Sequence, residues 1–268
     1  MTQCENRLLS RSANAVAAYD TLNSHSMQFG TTRHPVRRWW LRQLWPALLL
    51  VALAAASMGL GWDHALAHAL FYDAAAGRFL GTGPGDWWAR DLLHHGGRNL
   101  IRLLALVALC IWAASHAWPS WRPLRRPAAY VSLCLAASAA LVAALKFGTH
   151  IDCPRDLLEF GGTNPTLGLL DPRSAWLPPA ACFPGAHAAS GVSLLSLYYA
   201  MASVRGKYEL RWLLPALVAG PVFAFAQEAR GAHFLSHDLT GAALAIFVAV
   251  LLAALMLPLP DREPRPAQ

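Results

Sequence analysis

Charge is what this sequence has least of. Only 14% of its 268 residues are Asp, Glu, Lys or Arg, against 56% that are hydrophobic. Soluble domains carry roughly a quarter charged residues, so this chain is expected in a bilayer rather than in water. Cysteine is also sparse, with five in all. None stands at zinc-type spacing with histidine, so no zinc site of that kind is expected, and no cofactor is expected either. There is no internal repeat and no low-complexity tract, which excludes solenoids and arrays. No secretory signal peptide is expected, because the first hydrophobic run begins only at Leu44. The net charge of +7 is the one hint of nucleic acid. The basic residues, however, cluster beside hydrophobic runs, where they suit anionic headgroups and fix topology. The expected partner is therefore the membrane, not nucleic acid.

Six apolar runs are present, at 44–61, 103–118, 127–145, 188–204, 212–227 and 239–257. A helix of about twenty residues crosses a bilayer core, so the expected fold is all-α, a six-transmembrane-helix bundle over 44–258. Residues 1–43 read as a cytoplasmic segment, disordered to about residue 30 and then basic, with Met27 an alternative start. Residues 259–268 read as a cytoplasmic tail. Arg122, Arg125 and Arg126, and then Arg205, Lys207 and Arg211, mark two further cytoplasmic turns. The segments 63–99 and 147–184 then fall outside, with a short interfacial helix expected over 62–80.

On that outer face three stretches bring ionisable residues to the mouths of spans. One holds Lys146 and Arg155. A second holds Gly185, Ala186 and His187. The third, Arg230-Gly-Ala-His-Phe-Leu-Ser-His-Asp238, holds Arg230, His233, His237 and Asp238. Charges there are expensive and need a reason. Lys146 and Arg155 can neutralise an oxyanion, Arg with its forked donors. Gly185 and Ala186 lie just before a helix start, where backbone N–H groups and the helix dipole favour an anion. His187 and His233 can divide the work of nucleophile and general acid. Asp238 can orient an imidazole. The competing readings are a cluster merely solvated at the membrane edge, and an anionic-lipid transporter without chemistry. Cys153 and Cys182 fall in one outer loop and are expected to pair, which closes a loop worth roughly 3–4 kcal/mol by chain entropy.

These residues resemble the type 2 phosphatidic acid phosphatases, which are related in their core to vanadium haloperoxidases. That family carries Lys-x6-Arg-Pro, Pro-Ser-Gly-His and Ser-Arg-x5-His-x3-Asp. Here Lys146 is followed by Cys153-Pro154 at the Arg-Pro place, with Arg155 just beyond. The second motif reads Pro184-Gly185-Ala186-His187, without its Ser. In the third, aligning Gly231-Ala232-His233 puts Gln227 at the Arg position and His237 at the Asp position, so Arg230 and Asp238 are displaced. The resemblance covers roughly 44–257 and implies the bacterial membrane-bound lipid phosphatase branch, with the site facing the periplasm from the inner membrane. It implies metal-independent hydrolysis of a phosphomonoester or pyrophosphate. His233 would form a phosphohistidine and His187 would protonate the leaving oxygen. Lys146, Arg155, Gly185, Ala186 and Arg230 would bind phosphate, and Asp238 would orient the nucleophile. His237 is the alternative nucleophile. A phosphotransferase would use the same intermediate. Candidate substrates are phospholipid, polyprenyl and lipid A phosphates.

Overall fold

The structure, a computed structural model, describes residues 34–258, with side chains from residue 42. The expected disordered segment and the cytoplasmic tail lie outside the described residues. The chain divides into Met1–Trp39 and Trp40–Gln268; of the first unit only the opening of helix α1 (His34–Gly59) is described.

Helix makes up 71% of the structure, and the strands are a two-residue antiparallel pair, β1 (Tyr72–Asp73) and β2 (Arg78–Phe79). The fold is therefore all-α. After α1 comes α2 (Trp62–Leu66), which runs on as a π-turn over Ala67–Phe71. A longer π-helical stretch, Trp88–Gly96, leads into α3 (Gly97–Ala117). Then follow α4 (Arg125–Thr149), α5 (Ala186–Val192), α6 (Leu195–Arg205), α7 (Leu214–Ala229) and α8 (Leu235–Met256). The interfacial helix expected over 62–80 ends at Phe71, where the β1–β2 hairpin begins.

Among the described residues, five helices are long and apolar enough to cross a membrane: Arg42–Gly59, Trp88–Ala117, Pro119–Asp156, Leu210–Ala229 and Leu235–Met256. The chain is a membrane protein. The span expected at 188–204 is instead broken into α5 and α6, each too short alone. The cause is local. The Ser190 hydroxyl donates to the His187 carbonyl at 2.7 Å, and the Ser193 hydroxyl to Ser190 at 2.6 Å. Such back-bonding bends helices, and the Leu194 N–H has slipped to Gly191, three residues back.

Small residues hold the bundle together. Ala243, Ala245, Ala249 and Ala253 on α8 are buried, while Leu106, Val107 and Leu109 on α3 are exposed. In lipid the exposed leucines lose nothing, and close helix approach by small side chains supplies the packing. Tyr130 of α4 is fully buried and donates its hydroxyl to the Ala249 carbonyl at 2.9 Å. The starts of α5 and α8 approach closely. A methyl group on Gly241 would run into the Gly185 carbonyl, and one on Gly185 into the Asp238 carboxyl group. We expect Gly241→Ala to destabilise the protein by about 1–3 kcal/mol through overpacking. Thermal unfolding in detergent reads this out, and an unchanged Tm would contradict the close approach.

The loop between α4 and α5 is ordered by partners far apart in sequence. Cys153 and Cys182 are disulfide-bonded, with Cα atoms 5.2 Å apart. Buried Asp152 takes both forks of Arg173, at 2.6 and 3.0 Å, and the Asn164 amide at 2.7 Å. Leu157 and Phe160 of this loop pack with Phe71, Phe79 and Phe234 in a second small core. Arg173 is only partly buried and keeps the His150 and Pro178 carbonyls, so Asp152→Ala should cost roughly 1.5–3 kcal/mol, the scale of hydrogen bonds to charged groups. Limited proteolysis of the loop should accelerate accordingly; wild-type resistance would refute the clamp.

Candidate active site

Each cluster is positioned by a junction between elements. Lys146 stands in the last turn of α4, where its Nζ donates to the Ala181 carbonyl at 2.8 Å. Cys182 N–H donates to Ile151 O at 3.0 Å, so the two ends of the loop between α4 and α5 close over the same spot. Arg155 has an exposed side chain, and its backbone N–H donates to Gly231 O at 3.0 Å. That bond laces the first cluster to the third.

The third cluster spans the turn from α7 into α8. Gly231 takes φ 62° there, with the Phe79 ring against its Cα, a conformation and a contact that only glycine accepts without strain. Arg230 donates from Nη1 to Gln227 Oε1 at 2.7 Å. Burial, followed by the charge of Arg155, draws its guanidinium below the ordinary value. Arg155 and Arg230 thus lie within electrostatic reach of each other, and such a pair favours an anion nearby.

His233 is buried in the same turn, and its Nδ1 has no hydrogen-bond partner. Burial, followed by the charge of Lys146, holds its pKa well below the ordinary imidazole value. It is therefore a neutral base at neutral pH. His237 is 5.8 Å away ring to ring and edge-on, seated against Phe183 and Phe234, and its Nδ1 also lacks a partner. Lys146 lies within electrostatic reach of His233, His237 and Asp238.

His187, in the first turn of α5, is buried and donates from Nε2 to the Leu93 carbonyl at 3.2 Å. A carbonyl only accepts, so Nδ1 is the nitrogen left for other work. The π-helical stretch supplies this carbonyl and also His94, whose ring lies 4.7 Å from that of His187. Insertions of this kind often mark functional sites. Nothing in the sequence marks His94 beyond its place among the four histidines of 63–99.

Two expectations need correction. Asp238 is buried, but neither of its oxygens makes a hydrogen bond; it does not hold His233 or His237, because its carboxyl group lies against Gly185 instead. The Gly185 N–H is not open to an anion either, since it donates to His237 O at 2.7 Å. Ala186, expected just before a helix start, is the first residue of α5. No group of three or more His, Cys, Asp or Glu able to hold a metal occurs among the described residues.

The geometry thus gathers three cations, three buried imidazoles and a helix start at one end of the bundle. Residues 127–259, which contain every one of these clusters, match the sequence model of the PAP2 superfamily. Over this stretch the chain belongs to the PAP2 superfamily. PAP2 members are phosphatases, so at the level of the family this is a phosphatase of phosphate esters. No curated protein and no solved structure matches the sequence. The PAP2 match leaves out α1, α2 and the π-helical stretch, and with them the Leu93 carbonyl and His94.

Proposed function

We propose that this PAP2 protein hydrolyses a phosphomonoester or pyrophosphate on a lipid headgroup, at the outer face of a bacterial inner membrane. One observation carries the lipid. A cavity of about 700 Å³ runs between α1, α5, α6, α7 and α8, walled by Leu49, Leu195, Leu217, Ala242 and Ile246. Glu228 and Asp238 stand at one end and Gln43 and Tyr199 at the other, joined by a 3.1 Å hydrogen bond. Ala188 and Asp238, which line it, are the chain neighbours of His187 and His237, so the cavity abuts the two helices that carry these imidazoles. A water-soluble ester has no use for such a wall, whereas a hydrocarbon chain does. The broken helix 186–205 serves as a sixth crossing in this reading, and the basic turns face the cytoplasm.

His233, neutral through burial, attacks phosphorus, and the bond to the leaving oxygen breaks as the P–N bond forms. His187, in its protonated form, gives that oxygen a proton. Water then attacks the phosphohistidine and loses its proton to His187, which releases phosphate and restores His233. Lys146, Arg155 and Arg230 stabilise the charge on the phosphoryl oxygens throughout. Arg230, drawn back to Gln227, offers its cation from the place where the family motif carries Arg.

Purified protein in detergent with EDTA should release phosphate from long-chain lipid phosphates. Ile246→Trp, which fills the cavity, should raise KM for a long-chain substrate by roughly tenfold or more and spare a short-chain one. No release from any lipid phosphate would refute the proposal. Equal losses on both chain lengths would remove the cavity from it.

A further inference from the structure

Asp63 lies outside the PAP2 match, just beyond α1 in α2. It is only 5% exposed, yet both oxygens are in use. Its Oδ1 accepts the Ser57 hydroxyl at 2.7 Å and the backbone N–H of Ser236 at 2.9 Å, and its Oδ2 accepts the Ser236 hydroxyl at 2.5 Å. Ser57 and Ser236 are fully buried. Helix α8 needs this carboxylate. Its cap residue is Phe234, which offers no side-chain acceptor, and the first N–H groups of a helix need one. A carboxylate there also complements the helix dipole.

The network continues into the candidate active site. Ser236 is followed directly by His237, whose carbonyl accepts the Gly185 N–H at 2.7 Å. Gly185 stands two residues before His187, and His233 three residues before Ser236. The His233 turn, His237 and the start of α5 are therefore all referred, through Ser236, to one carboxylate held by the first span.

We propose that Asp63 is a positioning residue for phosphate-ester hydrolysis: it fixes the first turn of α8, and through it the placing of His233 against His187. This rests on the phosphatase reading above. Asp63 touches no substrate. Its removal should lower the rate of the chemical step in protein that still folds and still binds.

The test compares Asp63→Asn, Ser236→Ala, their double variant and Ser57→Ala in purified protein, with kcat and KM measured on one lipid phosphate and folding followed by Tm. Asp63→Asn keeps the shape but places an amide donor against the Ser236 hydroxyl or its N–H. It should lower kcat by about 10–100-fold, the scale of supporting groups around a site, with KM within about twofold. Ser236→Ala should act in the same direction. The double variant should lose no more than the worse single one, because both act through one contact. Ser57→Ala removes only the far contact and should stay within about threefold of wild type in kcat. An active wild type with unchanged kcat in Asp63→Asn overturns the inference alone. So does a loss of kcat no larger than the loss of folded protein, or a double variant whose losses multiply. An inactive wild type overturns the phosphatase reading, and this inference with it.

Discussion

His233→Ala should reduce phosphate release from a lipid phosphate by about 10⁴-fold or more, the scale seen when a covalent nucleophile is deleted. The structure gives the reasons. His233 is buried, its Nδ1 is without a partner, and it sits within electrostatic reach of Lys146. Burial holds its pKa well below the ordinary imidazole value. A nucleophilic imidazole must be neutral, so activity limited by His233 is full above its lowered pKa and is lost as pH falls through it. The acid limb of the kcat/KM profile should therefore lie below about 6.5, the unperturbed histidine value. His237→Ala should leave a substantial rate, because His237 is wedged between Phe183 and Phe234. An inactive His237→Ala beside an active His233→Ala would reverse the assignment.

His187→Ala should cost about 10²–10⁴-fold on an alkyl phosphate, the usual contribution of a general acid. The loss should be far smaller on an aryl phosphate, whose leaving oxygen needs little proton assistance. Lys146→Ala should cost similarly on both, since Lys146 supports charge whatever the leaving group. His187 is suited to the acid's task by its tie to Leu93, which leaves Nδ1 for the proton. Equal losses on the two substrates in His187→Ala would point to a phosphate-binding role instead.

What the sequence made legible is what is local. Apolar runs gave five crossing helices, because hydropathy is a property of consecutive residues. The three ionisable stretches stood out because charge at a span end is costly, and they do share one end of the bundle. What escaped depends on distant partners or on a single turn. Asp63 reads as one acid among several in a mixed segment; its meaning comes from Ser236, 173 residues away. Asp152 and Arg173 read as unrelated loop charges until the loop folds back on itself. The break between α5 and α6 hung on serine hydroxyls turned inward, which hydropathy does not register. Asp238 looked like an orienting carboxylate by proximity in sequence, but one residue around a helix turns a side chain by roughly 100°, and here it turns away from both imidazoles.

The most direct test is to quench the protein during turnover of a lipid substrate carrying radiolabelled phosphate and to map the label under alkaline conditions, where phosphohistidine survives. Our account predicts an acid-labile label on His233 that accumulates within one turnover and is missing from His233→Ala. Label on His237, or steady turnover with no covalent label on any residue, would contradict it.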